Sequence, residues 1–269
     1  MKVGYLQFAP VLWNRDYNVS KAIEMLEEVD FDLMVIPELF NTGYLFTKKE
    51  QLEKLGEDAR TGPTTKRLIG LAKRKKAHIA AGILEKENDK FYNSAVLVNE
   101  NGYVDTYRKI HLFFEEKLFF EPGNKPFKVY DIGKARIGIM ICYDWIYPES
   151  MRIMALQKAD IICHCANLVM PYCPGIMPGR CFDNRVFDIT ANRIGKDEVG
   201  DKSHTFIGKS QVVGPRGNVL NEAGPDVEEV FVMDINPEEA RDKNINELNN
   251  LFADRRPEMY KPLLEKTVI

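Results

Sequence analysis

Long hydrophobic runs are missing from this sequence. No window approaches the ~20 apolar residues that a membrane-spanning helix needs, and the apolar stretch in the opening MKVGYLQFAPVLW is too short for the core of a secretory signal. The expected location is therefore cytoplasmic, with no membrane partner. Charge of one sign is missing as well: 37 basic and 40 acidic residues are mixed along the chain, leaving a net charge of -3. Such a surface has no field to gather nucleic acid or an anionic membrane. The one basic cluster, KRKK at 73–76, reads as the solvated end of a helix. Cysteine is scarce and odd in number, five in 269 residues, which argues against a disulfide framework and for reduced thiols. Gly/Ser linkers and internal repeats are absent too, so residues 1–269 read as a single domain.

What is present, 45% hydrophobic and 29% charged residues, suffices to bury one substantial core. KVGYLQFA (2–9) and DLMVIPE (32–38) read as strands. NVSKAIEMLEEV between them has helical spacing, with Asn18 or Ser20 available as a cap. A second helix is predicted over 64–76, followed by the strand HIAAGILEK (78–86). The pattern then changes to hairpins. YNSAVLVNENGYVDTYRKIH turns at Asn101-Gly102, and FKVYDIGKARIGIMIC turns near Gly133. Further on come a helix from Pro148, the strand ADIICHCAN (159–167), a helix around 176–188, the strand DITANRIG, the hairpin GKSQVVGPRGNVLN and the strand EEVFVMDI. Crossovers mixed with hairpins predict an α/β fold in which two mixed sheets pack together under flanking helices, a four-layer α-β-β-α sandwich. A single doubly wound sheet is the competing architecture, and the hairpins count against it.

Three stretches put a polar residue where an apolar strand ends. In LMVIPELFNTGY, Glu38 follows four apolar residues and a proline. In TYRKIHLF, Lys109 sits in a run that reads as strand on both sides. In IGIMICYDWIYPES, Cys142 closes an apolar run just before an acidic, aromatic turn. Open α/β sheets place ligands at such strand ends, so the three groups can converge on one rim. Together they suit covalent acyl transfer: a lysine lowers a neighbouring thiol's pKa and can hold an oxyanion, and a glutamate in a dry pocket can take and return a proton. Taken singly the residues have plainer readings. Cys142 fills core space as free cysteines commonly do, and Glu38 with Lys109 makes a structural ion pair.

PELFNTGY, YRKIHLFFEEKLFFEPG and ICYDWIYPE, in this order and at these intervals, resemble the Glu, Lys and Cys motifs of the nitrilase superfamily of carbon-nitrogen hydrolases. The resemblance extends to GPTTKRL, YNSAVLV, ADIICHCANL and DNRVFDITANRIG, nearly the whole chain, and is nearest the compact branch of archaeal nitrilases and small-amide amidases. It implies the nitrilase-like sandwich, with Glu38 as general base, Lys109 as oxyanion-stabilising cation and Cys142 as nucleophile. A further glutamate after the lysine is implied, Glu116 in preference to Glu115, to orient the lysine and help position substrate or water. The backbone N–H of Tyr143 is the natural second oxyanion donor. Tyr44 and Asn167 are candidate pocket walls, and Phe119 and Trp145 candidates to narrow the pocket.

The implied reaction hydrolyses small aliphatic amides, through a thioester on Cys142, to ammonia and a carboxylic acid, with no cofactor. Small nitriles, which would pass through a thioimidate, and N-carbamoyl compounds are the alternatives. Tyr143-Asp144 after the cysteine resembles many amidases, where enzymes preferring nitriles often carry Trp-Glu. The resemblance also implies a homodimer or a larger homo-oligomer, with the polar tail over 236–269 lying on a partner subunit.

Two rival classes remain. Cys163, His164, Cys165, Cys173 and Cys181 are close enough in sequence to suggest zinc. In a strand, however, Cys163 and Cys165 point to one face and His164 to the other, and no C-x-x-C pair occurs, so no metal is expected. A non-catalytic binding subunit is the second rival, and three costly polar groups at an apolar rim argue against it.

Overall fold

In the computed structural model, which describes residues 1–265, the chain lays down one strand-and-helix pattern twice. The first pass runs through β1 (Lys2–Gln7), α1 (Arg15–Glu27), β2 (Leu33–Ile36), α2 (Lys49–Leu55), α3 (Pro63–Lys75), β3 (His78–Glu87), β4 (Lys90–Asn99) and β5 (Gly102–Arg108). The second runs through β6 (Val129–Asp131), β7 (Arg136–Ile141), α4 (Pro148–Leu156), β8 (Ile161–Cys165), α5 (Tyr172–Asn184) and β9 (Phe187–Ala191). A small hairpin, β10 (Lys196–Val199) and β11 (Lys202–Thr205), precedes β12 (Gln211–Val213), β13 (Val219–Glu222) and β14 (Glu229–Asp234).

The strands form two six-stranded sheets, ordered β14-β1-β2-β3-β4-β5 and β13-β12-β9-β8-β7-β6. In each, three central strands are parallel, β1-β2-β3 and β7-β8-β9, and the outer ones antiparallel. Central strands are covered on both faces, which is why LMVI in β2 and IICHC in β8 are buried at every position. Between the sheets, Val3, Tyr5, Val35 and Leu97 pack in one core with Ile139, Cys163 and Ile189. On the far side of the first sheet, Leu26 of α1 and Leu68 of α3 pack with Met34 and Ile36. With α4 and α5 on the second sheet, the layers are the expected α-β-β-α sandwich. Among the described residues no helix is long and apolar enough to cross a membrane.

Local chemistry moves several predicted boundaries. Helix α1 starts earlier than expected because Asn14, not Asn18 or Ser20, caps it by accepting from the Tyr17 N–H at 3.3 Å. Asn18 is buried inside the helix and bonds both the N–H and the carbonyl of Val11. Helix α5 begins at Tyr172, not 176, since Pro174 falls in the first turn, where its missing N–H costs nothing; Arg185, in the left-handed region, ends it. Helix α2 and the β10–β11 hairpin have no counterpart in the sequence reading. The first part of the 236–269 tail, as far as Phe252, makes contacts with its own chain. Ala240 is buried, Lys243 Nζ donates to the Arg185 carbonyl at 2.7 Å, and the Phe252 ring lies beneath Lys243 and Arg152 of the same chain. Residues 266–269, the end of that predicted segment, lie outside the described residues.

One glycine sets how closely strand and site approach. A Cβ at Gly82 on β3 would come within 2.4 Å of the Glu38 Cα and 2.7 Å of the Pro37 carbonyl oxygen, while the Phe40 N–H donates to the Gly82 carbonyl at 3.0 Å. Gly82→Ala should therefore lower the unfolding free energy by about 1–3 kcal/mol. Gly179→Ala in α5, where nothing lies within 4 Å of the added carbon, should leave it unchanged or raise it by up to about 1 kcal/mol. Denaturant unfolding of the two variants checks the pair, and equal effects would count against the close approach.

Candidate active site

All three strand-end residues emerge at one rim. Glu38 lies two residues beyond β2, Lys109 follows the last residue of β5, and Cys142 follows the last residue of β7. Strand β5 is antiparallel to β4 and β4 to β3, so β5 ends on the same side as β2. Lys109 stands just past its strand, held by its N–H donating to the Asn93 carbonyl at 2.8 Å.

The side chains meet in a dry cluster. Lys109 Nζ donates to Glu38 Oε1 at 2.7 Å and to Glu116 Oε1 at 2.6 Å, with all three side chains at most 2% exposed. Asn93 Nδ2 donates to the same Glu38 oxygen at 2.6 Å. Glu116 also accepts from the Tyr44 hydroxyl at 2.7 Å and from the Phe113 N–H at 3.0 Å. Glu38 Oε2 has no hydrogen-bond partner among the described residues. One carboxylate oxygen is thus committed to the cluster and the other is available for proton transfer.

Burial and pairing set the charges. Burial pushes the Glu38 carboxyl up to about 7, against the pull of Lys109, with Glu116 adding to the rise. Burial works against the Lys109 ammonium, yet Glu116 and Glu38 more than offset it and hold the proton on nitrogen. Burial also raises the Cys142 thiol well above its ordinary range; Glu38 adds to this and Lys109 opposes it. Burial and Glu116 keep the Tyr44 phenol protonated. The resting state is a neutral thiol beside a carboxyl that titrates near neutrality.

Cys142 stands where β7 breaks into a short 3-10 turn over Cys142–Ile146, with φ +40°. A non-glycine residue pays for that left-handed conformation with about 1–3 kcal/mol, supplied by its surroundings. Asp144 is one supply. Its carboxylate accepts from the Ile141 N–H at 2.9 Å, the Tyr107 hydroxyl at 2.7 Å and the His111 N–H at 3.2 Å, tying the turn to the β5 end.

The predicted pocket residues divide. Tyr143, Trp145 and Asn167 line a cavity of about 250 Å³ at Cys142, together with Phe113, Leu168, Met170 and Tyr172. Neither Nδ2 nor Oδ1 of Asn167 has a partner among the described residues, although the residue is buried. Tyr44 and Phe119 lie instead in a small recess with Glu116 and His204. Glu115 pairs with Lys202 at 2.7 Å, away from Lys109. Cys165 Sγ faces the Ala80 carbonyl of the other sheet and His164 faces the opposite way, as alternation requires. Among the described residues no three His, Cys, Asp or Glu side chains are grouped to hold a metal ion.

Several residues that build the site are missing from the sequence reading. Asn93 lies within YNSAVLV but gives no local sign that it reaches Glu38. Asp197, on the β10–β11 hairpin, accepts from the Tyr44 and Leu45 N–H groups at 2.8 and 3.2 Å and pairs with buried Arg193 at 2.9 Å. It thereby holds the loop that presents the Tyr44 hydroxyl, and only the fold brings these segments together.

The four-layer sandwich of two mixed sheets and flanking helices is the nitrilase-like fold. The solved carbon-nitrogen hydrolase of Helicobacter pylori shares it with a TM-score of 0.87, at 25% identity over 100% of this chain and 99% of that one. The chain belongs to the carbon-nitrogen hydrolase family, whose model matches residues 2–244. It is 44% identical to a nitrilase of Pyrococcus abyssi, over 97% of this chain and 99% of that protein. It is 32% identical to the N-carbamoylputrescine amidase of Arabidopsis thaliana, over 92% and 90%.

Lys109 between two carboxylates predicts a large effect on removal. Lys109→Met leaves Glu38 and Glu116 buried without their cation and should cost about 3–5 kcal/mol of stability. Adding Glu116→Gln should recover part of the loss. Denaturant unfolding at neutral pH measures both, and an unchanged unfolding free energy in the single variant would overturn the ion-pair account.

Proposed function

We propose that the protein, as one hydrolase domain, cleaves the carbon-nitrogen bond of small, neutral aliphatic amides through a thioester on Cys142, with Glu38, Lys109 and Cys142 as its triad. The carrying observation is the buried cluster at one rim, with Lys109 Nζ 2.7 Å from Glu38 and both groups within electrostatic reach of the Cys142 sulfur. Glu38 takes the thiol proton as sulfur attacks the carbonyl carbon. The oxyanion is held by Lys109 Nζ and the Tyr143 backbone N–H. The tetrahedral adduct collapses as Glu38 returns the proton to nitrogen, the C–N bond breaks and ammonia leaves. Water, deprotonated by Glu38, then attacks the thioester, releasing a carboxylic acid and restoring the thiol. Glu116, steadied by the Tyr44 hydroxyl, orients Lys109.

The cavity wall supports a neutral substrate. Phe113, Tyr143, Trp145, Leu168, Met170 and Tyr172 offer no charge, and Asn167 offers one unpartnered amide. A charged chain would lose its hydration there without a partner, which argues against an N-carbamoyl amine carrying an ammonium group. Nitrile hydrolysis, through a thioimidate at the same sulfur, is the second reading; the likeness to the Pyrococcus abyssi nitrilase favours it.

Purified protein should release ammonia from short neutral amides or nitriles, and Cys142→Ala should abolish this. An amide with a cationic chain should have a kcat/KM at least about 100-fold below that of its neutral isostere. A base must be ionised to accept a proton, so kcat/KM should rise with pH through about 7, the value to which Glu38 is pushed. Silence across a broad panel of amides and nitriles, with Cys142 intact, would remove the catalytic reading.

The same proposal makes the chain a homodimer or larger homo-oligomer. Ile153 and Leu156 on α4 and Ile176 and Phe182 on α5 are each 38–47% exposed, and Leu264 of the tail is 90% exposed. Sedimentation equilibrium should give at least twice the chain mass; a monomer at micromolar concentration would refute it.

A further inference from the structure

Behind Cys142, on the face of the second sheet opposite the inter-sheet core, lies a chain of buried polar groups that the proposed reaction does not use. His164 Nε2 is 3.1 Å from the Cys142 carbonyl oxygen, and His164 Nδ1 is 3.0 Å from Thr190 Oγ1. Thr190 Oγ1 is in turn 2.6 Å from Asp188 Oδ2. His164 and Thr190 face each other in the β8–β9 register, and Asp188, two residues before Thr190, shares its face. All three residues are fully buried.

At zero net charge, counting protons along the chain leaves two arrangements. A carbonyl oxygen only accepts, so His164 Nε2 carries a hydrogen in both. If the imidazole is neutral, Nδ1 accepts from the Thr190 hydroxyl, Thr190 Oγ1 accepts from Asp188, and Asp188 is a neutral acid. If the imidazole is charged, Nδ1 donates to Thr190, Thr190 donates to Asp188, and Asp188 is a carboxylate. The site is dry, Asp188 Oδ1 has no partner among the described residues, and no cationic side chain there bonds either oxygen. Burial lowers His164 to about 4, against the pull of the Cys142 carbonyl and Asp144. Burial raises Asp188 to about 8, opposed by Thr190. Both directions select the neutral arrangement.

We propose that Asp188, Thr190 and His164 form a neutral hydrogen-bonded relay that fixes the Nε2–H tautomer of His164 and, through its bond to the Cys142 carbonyl, holds the nucleophile in its left-handed conformation. They are positioning residues, acting on Cys142 from behind. The proposal rests on Cys142 being the nucleophile, and it explains what holds the strained residue from the side that Asp144 does not reach. Loss of the His164 bond frees the carbonyl and lets the peptide relax, moving sulfur out of line. Small displacements of that kind cost up to about 100-fold in rate.

The test has an arm that does not depend on substrate. In the intact protein, 15N chemical shifts of His164 should report Nε2–H with Nδ1 as acceptor from pH 5 to 7; an imidazolium in that range would overturn the neutral relay. His164→Leu should slow carbamidomethylation of Cys142 by iodoacetamide and lower kcat at least about tenfold, with KM changed less than about threefold. His164→Gln, whose Nε2–H group can reach the same carbonyl, should recover most of the loss. Asp188→Asn, which keeps a donor to Thr190, should recover most of what Asp188→Leu loses. Wild-type alkylation in His164→Leu would refute the proposal, as would glutamine failing alongside leucine or asparagine failing alongside leucine. Should either leucine variant not fold, the tautomer and the two conservative variants still decide. Absence of any hydrolysis, with the tautomer and alkylation results as expected, would count against the substrate reading and leave the relay standing.

Discussion

The Lys109 ammonium, shut from water and divided between Glu38 and Glu116, is the interaction on which the rest of this site depends. Two carboxylates could not both be buried here without it, and the ammonium could not be buried without them. Its position requires β5 to end just before residue 109, the Asn93 carbonyl to hold its backbone and the Tyr44 hydroxyl to steady Glu116. Tyr44 in turn needs Asp197 under its loop, and Asp197 needs Arg193. A charge balance at the centre is thereby tied to a peripheral hairpin.

Cys142 poses a different problem, since its cost is conformational. A thiol at φ +40° sits at the point where β7 gives way to a turn, and the surrounding hydrogen bonds must keep that geometry. Asp144 gathers the backbone around the turn to the end of β5. The β8–β9 face supplies His164 behind it. The front of the residue opens on a cavity walled mainly by aromatic and aliphatic side chains, with Asn167 the one amide among them. That uncharged wall is what makes the proposed substrate a matter of charge.

Much of the architecture was legible in the sequence because its signals are local. IGIMI and LMVI announce doubly covered strands, Asn101-Gly102 announces a hairpin, and Pro148 opens a helix in its first turn. Where the signal was weak or competing, the boundaries moved. Asn14 outcompeted Asn18 as a cap because Asn18 is consumed inside the fold, and α5 absorbed Pro174 in its first turn. Helix α2 is only seven residues long and the β10–β11 strands four each, too short for periodicity to mark. At the site, Glu38, Lys109, Cys142 and Glu116 were legible through their strand ends and motifs. Asn93, Asp144, Asp197 and His164 were not, since nothing in a short stretch tells which distant atom a buried polar group will meet.

By itself the sequence determined the layer count, the family and the four residues whose chemistry must be explained, because strand periodicity, turn residues and motif spacing are properties of neighbours along a chain. Only the tertiary structure decided how those residues are charged and held. It set the desolvation that lifts Glu38 toward neutrality, the single oxygen of Glu38 left without a partner among the described residues and the recess that Tyr44 and Phe119 line with Glu116. It also made the contact that places His164 behind the cysteine. These depend on burial and on contacts between segments far apart in the chain, as Tyr44 and His204 are in one recess, and burial is a property of the packed molecule rather than of any stretch within it.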